Sequence, residues 1–310
     1  MNGEMPLVNP DAKRVGEQKN RGPTHMAWYV VAFLDLLGQQ DVLSKITALP
    51  NVENREEVAA FKQKVAELYK PLYSLETFFK GGIKPFKEGS VNETAFLSSE
   101  QEMLKKLRST PIFYRLFSDS LIVHVPISNS TGKFQCHAIY GVLAAAAVTF
   151  LLCLVHSWAI RGGIECGLAM DIEEGEVYGP ALARAHRLES NVAQYPRIVI
   201  GEELVRYLQM VAGQKAITEE ERVHARLATR SLGLLAVDDD GCTFLDWLGN
   251  DIRTSFQKRE ELVRTAYNFI IQEYVKHKEA RNSKLAFRYT LLRNYVESRL
   301  PDWGIGLQSE

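Results

Sequence analysis

The rest of the chain is organised around the segment RGGIECGLAMDIEEGEVYGPALARAHRLES, residues 161–190. Residues 161–170 are short, apolar and rich in glycine, which predicts a buried strand. The polar residues 171–175 end in glycine and predict a turn. Residues 176–178 predict a second short strand, so the segment begins as a β-hairpin.

A helix is predicted to follow this hairpin. Gly179 and Pro180 open it, because a proline at the first helical position has no N–H group to leave without a partner. Ala183 and Arg187 are four residues apart and share one helix face, and Arg184 is a near neighbour of Arg187. A hairpin and a helix that direct arginines towards one place predict a binding site for an anion.

Three motifs, in this order along the chain, resemble the core of class III nucleotidyl cyclases. FLDLLG at residues 33–38 matches the F-x-D-[IL]-x-G of the family's first core strand. RLFSD at 115–119 is similar to its hairpin K-x-x-G-D, with arginine for lysine and serine for glycine. RGGI at 161–164 matches its R-x-G-I strand, and residues 179–187 are similar to its helix G-x-x-V-N-x-A-x-R. The resemblance covers roughly residues 28–200.

The resemblance implies an α/β (α+β) fold, in which helices pack on a ferredoxin-like, mostly antiparallel sheet. We expect a flexible arm at 1–24, a catalytic domain at 25–250 and a C-terminal helical extension at 251–310. Turn-forming residues from 80 onwards predict an insertion at about 80–110, between the first two core strands. Two amphipathic helices are expected at 252–300, and they either cap the core or aid dimerisation.

The composition of the chain argues against several classes of binding partner and site. The chain has 310 residues, of which 46% are hydrophobic and 24% charged, as in soluble globular proteins. Its net charge of −1 argues against a dedicated nucleic-acid binder or a polybasic membrane binder. The cysteines have no CxxC spacing, so neither a zinc site nor a disulfide framework is indicated, and the cytoplasm is the expected compartment.

One apolar stretch, residues 138–160, is long enough to span a membrane. It is rich in alanine, contains His156 and leads directly into the strand that begins near residue 161. A membrane span at this place would split the cyclase core in two. A buried helix is therefore favoured, and no membrane span is expected.

Asp35 and Asp119 are the candidate metal ligands. The apolar run at 28–34 predicts a central strand with Asp35 at its C-terminal end, where open α/β sheets place ligands. Asp119 lies in a turn between strands predicted at 112–117 and 121–126. Carboxylate oxygens suit Mg²⁺ or Mn²⁺, and the resemblance implies two such ions per site. The alternatives are a helix cap for Asp35 and a structural turn residue for Asp119.

Leu36, Leu37 and Gly38 follow the first predicted strand. In the family, backbone N–H groups at this place hold the phosphates of the nucleotide, since helix N-termini leave donors free. The reaction implied is cyclisation of a nucleoside triphosphate, in which the 3′-hydroxyl attacks the α-phosphorus and pyrophosphate leaves.

Arg187 matches the transition-state arginine of the family. A fixed guanidinium stabilises the charge that develops on phosphate oxygens. The alternative is a surface ion pair of Arg187 with Glu189 or Glu176.

Ala183 departs from the family pattern, because it stands where a transition-state asparagine is usual. Its methyl group cannot form a hydrogen bond with a ribose. Arg184 or His186 is expected to compensate, and otherwise the site is weakened.

Arg115 and Glu176 stand where adenylyl cyclases read the adenine edge with a lysine and an aspartate. A guanidinium donates in a rigid fork and can pair with carbonyl oxygens. Uracil presents two such oxygens and cytosine one. The pair therefore favours a pyrimidine, with UTP favoured over CTP.

The whole combination is most similar to the Pycsar-type pyrimidine (uridylate or cytidylate) cyclases of bacterial antiviral defence. This resemblance implies a soluble homodimer with composite sites, whose product, cyclic UMP or cyclic CMP, acts through a downstream effector. One alternative is an adenylyl cyclase with atypical selectivity residues. The other is a cyclase-like binding module without catalysis, which Ala183 permits but Asp35, Asp119 and Arg187 argue against.

Overall fold

The computed structural model describes most of the chain, namely residues 26–44, 46–89, 98–108, 110–127, 136–172, 176–255 and 259–306. The arm predicted at 1–24 lies outside these ranges, as do residues 90–97 of the predicted insertion. Within the described ranges the chain forms one sheet of eight strands and ten α-helices.

The sheet is mostly antiparallel. Its strands are β1 (Ala27–Leu36), β2 (Phe113–Phe117), β3 (Ser120–Pro126), β4 (Ile160–Asp171), β5 (Val177–Tyr178), β6 (Ile198–Ile200), β7 (Leu235–Val237) and β8 (Thr243–Leu245). Their order is β2-β3-β1-β4-β6-β8-β7, with β5 paired to β4 outside this path. Among these pairings only β4 with β6 is parallel. The prediction of a mostly antiparallel sheet with helices is confirmed.

The helices account for most of the described residues. They are α1 (Gln39–Leu43), α2 (Arg55–Glu88), α3 (Ser98–Leu107), α4 (His137–Val155), α5 (Pro180–Arg187), α6 (Glu202–Gly213), α7 (Glu219–Leu232), α8 (Asn250–Ser255), α9 (Glu260–Glu279) and α10 (Ser283–Arg299). A π-helix at Leu188–Val192 follows α5, and a 3₁₀ helix at Leu300–Trp303 follows α10.

β1 and β4 form the centre of the sheet, and β1 separates two layers. The even-numbered side chains from Val30 to Leu36 join the main core. The odd-numbered side chains from Tyr29 to Phe33 join a second cluster under α5. Because side chains alternate along a strand, Asp35 lies on the α5 side, directly opposite Arg161 of β4.

α4 is the apolar helix predicted before β4. Of the helices in the described ranges it is the one long and apolar enough to cross a membrane, but 78% of its most apolar 18-residue window is buried inside the protein. It packs against α2, α7 and α9. The prediction of a buried helix is confirmed, although the helix ends at Val155 and the strand begins at Ile160.

α2 is longer than predicted, and the expectation of turns from residue 80 is wrong for residues 80–88. Helical spacing predicts a helix that ends near residue 79, but α2 continues to Glu88 and ends where Gly89 adopts φ 86°. Gly82 lies against α4, where a Cβ atom would be 3.0 Å from the Ala145 Cα atom. Glycine here permits close helix packing instead of ending the helix.

The two helices predicted near the C-terminus are confirmed as α9 and α10, with the break at residues 280–282. Tyr289, Leu292 and Val296 of α10 are buried in the same cluster as the central strands. α9 packs against α4. The C-terminal helices are therefore part of the main core.

The prediction for residues 161–190 is confirmed where the chain is described. β4 pairs with β5, and α5 begins at Pro180 after Gly179, which has φ 139°. Residues 173–175 of the predicted turn lie outside the described ranges. After α5 the Ala193 N–H donates to the Leu188 carbonyl at 2.8 Å, a π-helical hydrogen bond.

α5 lies directly on β4 because Gly163 has no side chain. A Cβ atom at Gly163 would lie 2.2 Å from the Ala185 carbonyl oxygen and 2.9 Å from the Glu189 amide nitrogen. Both are backbone atoms, which can move only if the helix moves. Gly167 is on the same face of β4, but there a Cβ atom would make an ordinary contact, 3.6 Å from the Ala181 Cβ.

We expect Gly163→Ala to lower the free energy of unfolding by about 1–3 kcal/mol or more, because the added methyl group forces α5 off the strand. Gly167→Ala is the matched control and should change it by less than about 1 kcal/mol. Urea denaturation followed by circular dichroism measures both. Equal effects of the two substitutions would contradict the direct contact of α5 with β4.

Candidate functional site

Two cavities contain most of the candidate site residues. The first, about 590 Å³ in volume, is lined by Asp35 and Asp119 and is called the aspartate cavity. The second, about 1000 Å³, is lined by Arg115 and Glu176 within a mostly apolar wall and is called the apolar cavity. The two cavities share no lining residue.

The end of β1 and the turn between β2 and β3 bring the two aspartates into one cavity. Asp35 is paired in register with Ser120, and the Ser120 hydroxyl donates to the Asp35 Oδ1 at 2.8 Å. The Asp119 carbonyl accepts the Leu36 N–H at 3.1 Å, which ties the turn to β1. The preceding residue, Ser118, has φ 55° in the tight turn. The structure thus brings together the two predicted metal ligands.

The surroundings of Asp35 oppose its negative charge. Burial raises the pKa of the Asp35 carboxyl to about 6, and the nearby carboxylates of Glu189 and Asp119 add to the rise. The Ser120 hydroxyl and the Arg161 guanidinium lower that pKa, but less. Arg161 also donates to the Glu189 carboxylate, so its positive charge is shared between two acids.

The donor set of the aspartate cavity fits a hard divalent cation that is bound together with a phosphate. Carboxylate oxygens are the ligands that Mg²⁺ prefers, and Mg²⁺ usually keeps waters and substrate phosphates as its other ligands. Within the described ranges, no group of three or more His, Cys, Asp or Glu side chains is placed to hold a metal ion. Asp35 and Asp119 would therefore need ligands from outside the protein.

Leu36, Leu37 and Gly38 line the aspartate cavity. The N–H group of Leu36 donates to Asp119, as above, and that of Leu37 donates to the Ala159 carbonyl at 2.9 Å. Gly38 has φ 85°. Phosphate contacts from the Leu36 and Leu37 amides would require these two hydrogen bonds to break.

The apolar cavity contains the predicted base-reading pair. The Arg115 Nη2 lies 3.2 Å from the Glu176 Oε1, although the two residues come from different hairpins. Side chains of the cavity wall include Phe33, Phe117, Ile122, Tyr178 and Leu182. An apolar wall with one forked donor and one carboxylate suits a planar ring with a polar edge.

α5 directs only some of its residues to this cavity. Ala183 and His186 line it, and the His186 ring contacts Phe33 edge-on at a centroid distance of 5.0 Å. Arg184 and Arg187 are exposed and line neither cavity.

Arg184 lies near Glu165 of β4. Burial raises the pKa of the Glu165 carboxyl, and the hydrogen bonds of that carboxyl and the charge of Arg184 oppose the rise. The Glu165 Oε1 also accepts the Leu204 N–H at 2.9 Å, at the start of α6. The structure therefore does not bring Arg184 together with the other predicted site residues of the same chain.

The ion-pair alternative for Arg187 is not observed. Glu189 pairs with Arg161, and Glu176 pairs with Arg115. No ion pair of Arg187 is found within the described ranges. Its guanidinium is exposed and available to a ligand or a second chain.

One wall of the aspartate cavity is not predicted from the sequence. This wall comes from α9 and α10 and consists of Phe269, Glu273, Lys276, His277, Leu285, Arg288 and Tyr289. Helical spacing predicts both helices but does not indicate which strand ends they face. Lysine and histidine side by side near the end of α9 were the available signal.

No protein-family model matches the chain, and no curated protein matches it at a significant level of similarity. The choice among functions therefore depends on the residues of the two cavities and on the order of the motifs that build them.

The pKa of Asp35 predicts a pH dependence of stability in the metal-free protein. Its ordinary pKa of 3.8 applies to the unfolded chain, so the folded protein binds this proton more tightly between about pH 4 and 6. Ionisation of Asp35 therefore destabilises the fold, with no cost below about pH 4 and the full cost above about pH 6. Asp35→Asn should raise the free energy of unfolding on the order of 1–2 kcal/mol at about pH 7.5.

The measurement is urea denaturation with a chelator present, at about pH 4 and about pH 7.5. The asparagine keeps an acceptor for Ser120, so the change tests charge and not the hydrogen bond. The stabilisation should disappear at the lower pH. A stabilisation of equal size at both pH values would show that the charge of Asp35 is not the cause.

Proposed function

We propose that the protein is a pyrimidine nucleotide cyclase with a class III cyclase-like core, which converts UTP to 3′,5′-cyclic UMP and pyrophosphate. The observation that carries the proposal is the presence of Asp35 and Asp119 in one cavity, where burial and the neighbouring carboxylates oppose the charge of Asp35. The order of the sequence motifs supports the same reaction. The cysteine pattern favours the cytoplasm, and the resemblance implies that the product acts through an effector in antiviral defence.

In the proposed reaction, a bond forms between the 3′-oxygen and the α-phosphorus. The bond from the α-phosphorus to the bridging oxygen of the β-phosphate breaks, pyrophosphate leaves, and the 3′-hydroxyl proton passes to solvent. Asp35 and Asp119 would hold two Mg²⁺ or Mn²⁺ ions. Such ions, when bound, favour ionisation of the 3′-hydroxyl and neutralise phosphate charge.

Arg187 is proposed to stabilise the charge that develops on the phosphate oxygens. Its exposed guanidinium is free to act on a substrate bound by a second chain.

His186 is a better substitute than Arg184 for the missing asparagine, because His186 and Ala183 line the same cavity. An imidazole can donate a hydrogen bond to a ribose or accept one from it.

Arg115 and Glu176 are proposed to select the base. The guanidinium fork can donate to the carbonyl oxygens of uracil, and the ion pair with Glu176 holds it in place. Glu176 is also an acceptor for an amino group, which keeps CTP and ATP as competing substrates. UTP is favoured because uracil offers Arg115 either of two carbonyl oxygens as an acceptor, whereas cytosine offers one.

A twofold dimer is proposed to complete each site. The aspartate cavity and the apolar cavity share no residue, which is the arrangement expected if each site combines one cavity from each chain. Phe117 and Tyr178, at the apolar cavity, are 67% and 63% exposed. Exposed aromatic side chains beside a cavity are typical of an interface.

The first test is substrate conversion. Purified protein is incubated with each of the four nucleoside triphosphates and Mn²⁺, and the products are identified by mass. We expect cyclic UMP from UTP to form faster than cyclic AMP from ATP. Preferred conversion of ATP would replace the uridylate proposal with the adenylyl alternative.

Asp35→Ala and Asp119→Ala should each lower the rate by at least about 100-fold, since each removes a metal ligand. Asp239→Ala is the matched control, because Asp239 is exposed and lines neither cavity. Wild-type turnover in either of the first two variants would remove the metal assignment.

The second test is complementation between inactive chains. Asp119→Ala and Arg187→Ala homodimers should both be inactive, since the lesions affect opposite sides of every composite site. In a mixed dimer one site carries both lesions and the other carries neither, so activity should return to about half per heterodimer.

The control is a mixture of Asp35→Ala with Asp119→Ala, which should stay inactive because both lesions affect the same side of the site. Heterodimer formation is checked with two affinity tags. If tagged heterodimers form but the first mixture stays inactive, the site lies within one chain.

A further inference from the structure

The aspartate cavity is lined by charges of both signs from two parts of the fold. The central strands and their connections supply Asp35 and Asp119, and the C-terminal helices supply Lys276 and Arg288. Within the described ranges, no ion pair joins either aspartate to either of these basic residues. The aspartates and these two basic residues therefore share one space of about 590 Å³ without an ion pair between them, and Arg161 of β4 and Glu273 of α9 line the same space.

The wall from α9 and α10, called the basic wall because it contains Lys276 and Arg288, is held in place by its own contacts. The Lys276 Nζ lies 2.8 Å from the Glu273 Oε1, and the His277 Nε2 lies 3.2 Å from the Glu273 Oε2. The His277 ring stacks on Tyr289 of α10, with ring centroids 5.6 Å apart. Tyr289 is buried, so these contacts join α9 to α10 at the cavity.

Arg288 is the cation of this wall without a carboxylate partner among the described residues. Its side chain is only partly exposed, on the same helix as buried Tyr289. A partly buried guanidinium gains most from a ligand that accepts several of its hydrogen bonds, and phosphate oxygens do so in a matching geometry.

The mixture of charges limits which chemical class of ligand the cavity can bind. A free anion would be repelled by Asp35 and Asp119, and a free divalent cation would be repelled by Lys276 and Arg288. A polyphosphate with its bound metal satisfies both, because the carboxylates contact the metal and the basic side chains contact the phosphates.

We infer that Lys276 and Arg288 bind the terminal phosphates of the metal-bound triphosphate. This inference rests on the proposed function and deepens it, since the phosphate contacts come from the C-terminal helices and not from the Leu36 and Leu37 amides. The C-terminal helices thus belong to the substrate site as well as to the core.

The test uses inorganic tripolyphosphate with Mg²⁺, which contains neither base nor ribose. Its binding to the full chain is measured by isothermal titration calorimetry. Arg288→Met and Lys276→Met should each raise the dissociation constant by about tenfold, since each removes a charge-assisted contact. In the cyclase assay the same variants should raise KM for UTP more than they lower kcat.

Arg264→Met in α9 and Lys284→Met in α10 are the matched controls. Both residues are exposed and line neither cavity, and each variant loses the same charge. The controls should bind tripolyphosphate within about twofold of the wild type, which corresponds to less than about 0.5 kcal/mol. Circular dichroism verifies that each variant is folded, and the exposed Lys276 provides the decisive variant should Arg288→Met not fold.

The outcomes separate this inference from the proposed function. Unchanged tripolyphosphate binding in both cavity variants, equal loss in the controls, or no binding by the wild type would each overturn the inference. Selective loss in the cavity variants supports it. If binding is lost selectively but none of the four nucleoside triphosphates is cyclised, the phosphate subsite remains and the proposed cyclase reaction is wrong.

Discussion

The direct contact of α5 with the backbone of β4 at Gly163 sets the geometry of both cavities. Two residues before this contact, Arg161 lies opposite Asp35, so the same strand that supports the helix also supports the aspartate cavity. On the other side of the contact, α5 places Ala183 and His186 at the apolar cavity. A side chain at position 163 would lift the helix and change the distance between the two cavities.

The carboxylates of the aspartate cavity are held at an energetic cost by the strands and helices around them. They lie close together and are partly buried, and burial raises the pKa of Asp35. The fold tolerates this because Asp35 is paired in register with Ser120 of β3 and Arg161 of β4. In addition, α9 and α10, which belong to the main core, form another wall of the cavity. A bound cation would relieve the repulsion between these carboxylates, so ligand binding can regain the free energy that folding loses by burying them.

The sequence predicts features that depend on local signals. The apolar run before Asp35, the turn at Asp119 and the proline that opens α5 each have a local physical cause, and the structure contains all three. Glycine at 80–88 gave the wrong prediction, because the close packing of α2 on α4 uses Gly82, and glycine more often ends a helix. The basic wall at Lys276 and Arg288 was not predicted, because the sequence shows its charges but the strand ends that they face depend on how α9 is oriented against α4.

The π-helix after α5 has the character of a single inserted residue. Its hydrogen bond from Ala193 to Leu188 spans five residues, whereas an α-helix spans four. A chain with the same fold and a regular α-helix here would need one residue fewer between Arg187 and the start of β6. The number of residues in this connection would then distinguish chains that have the π-helix from those that lack it. It would do so even where every cavity residue is the same.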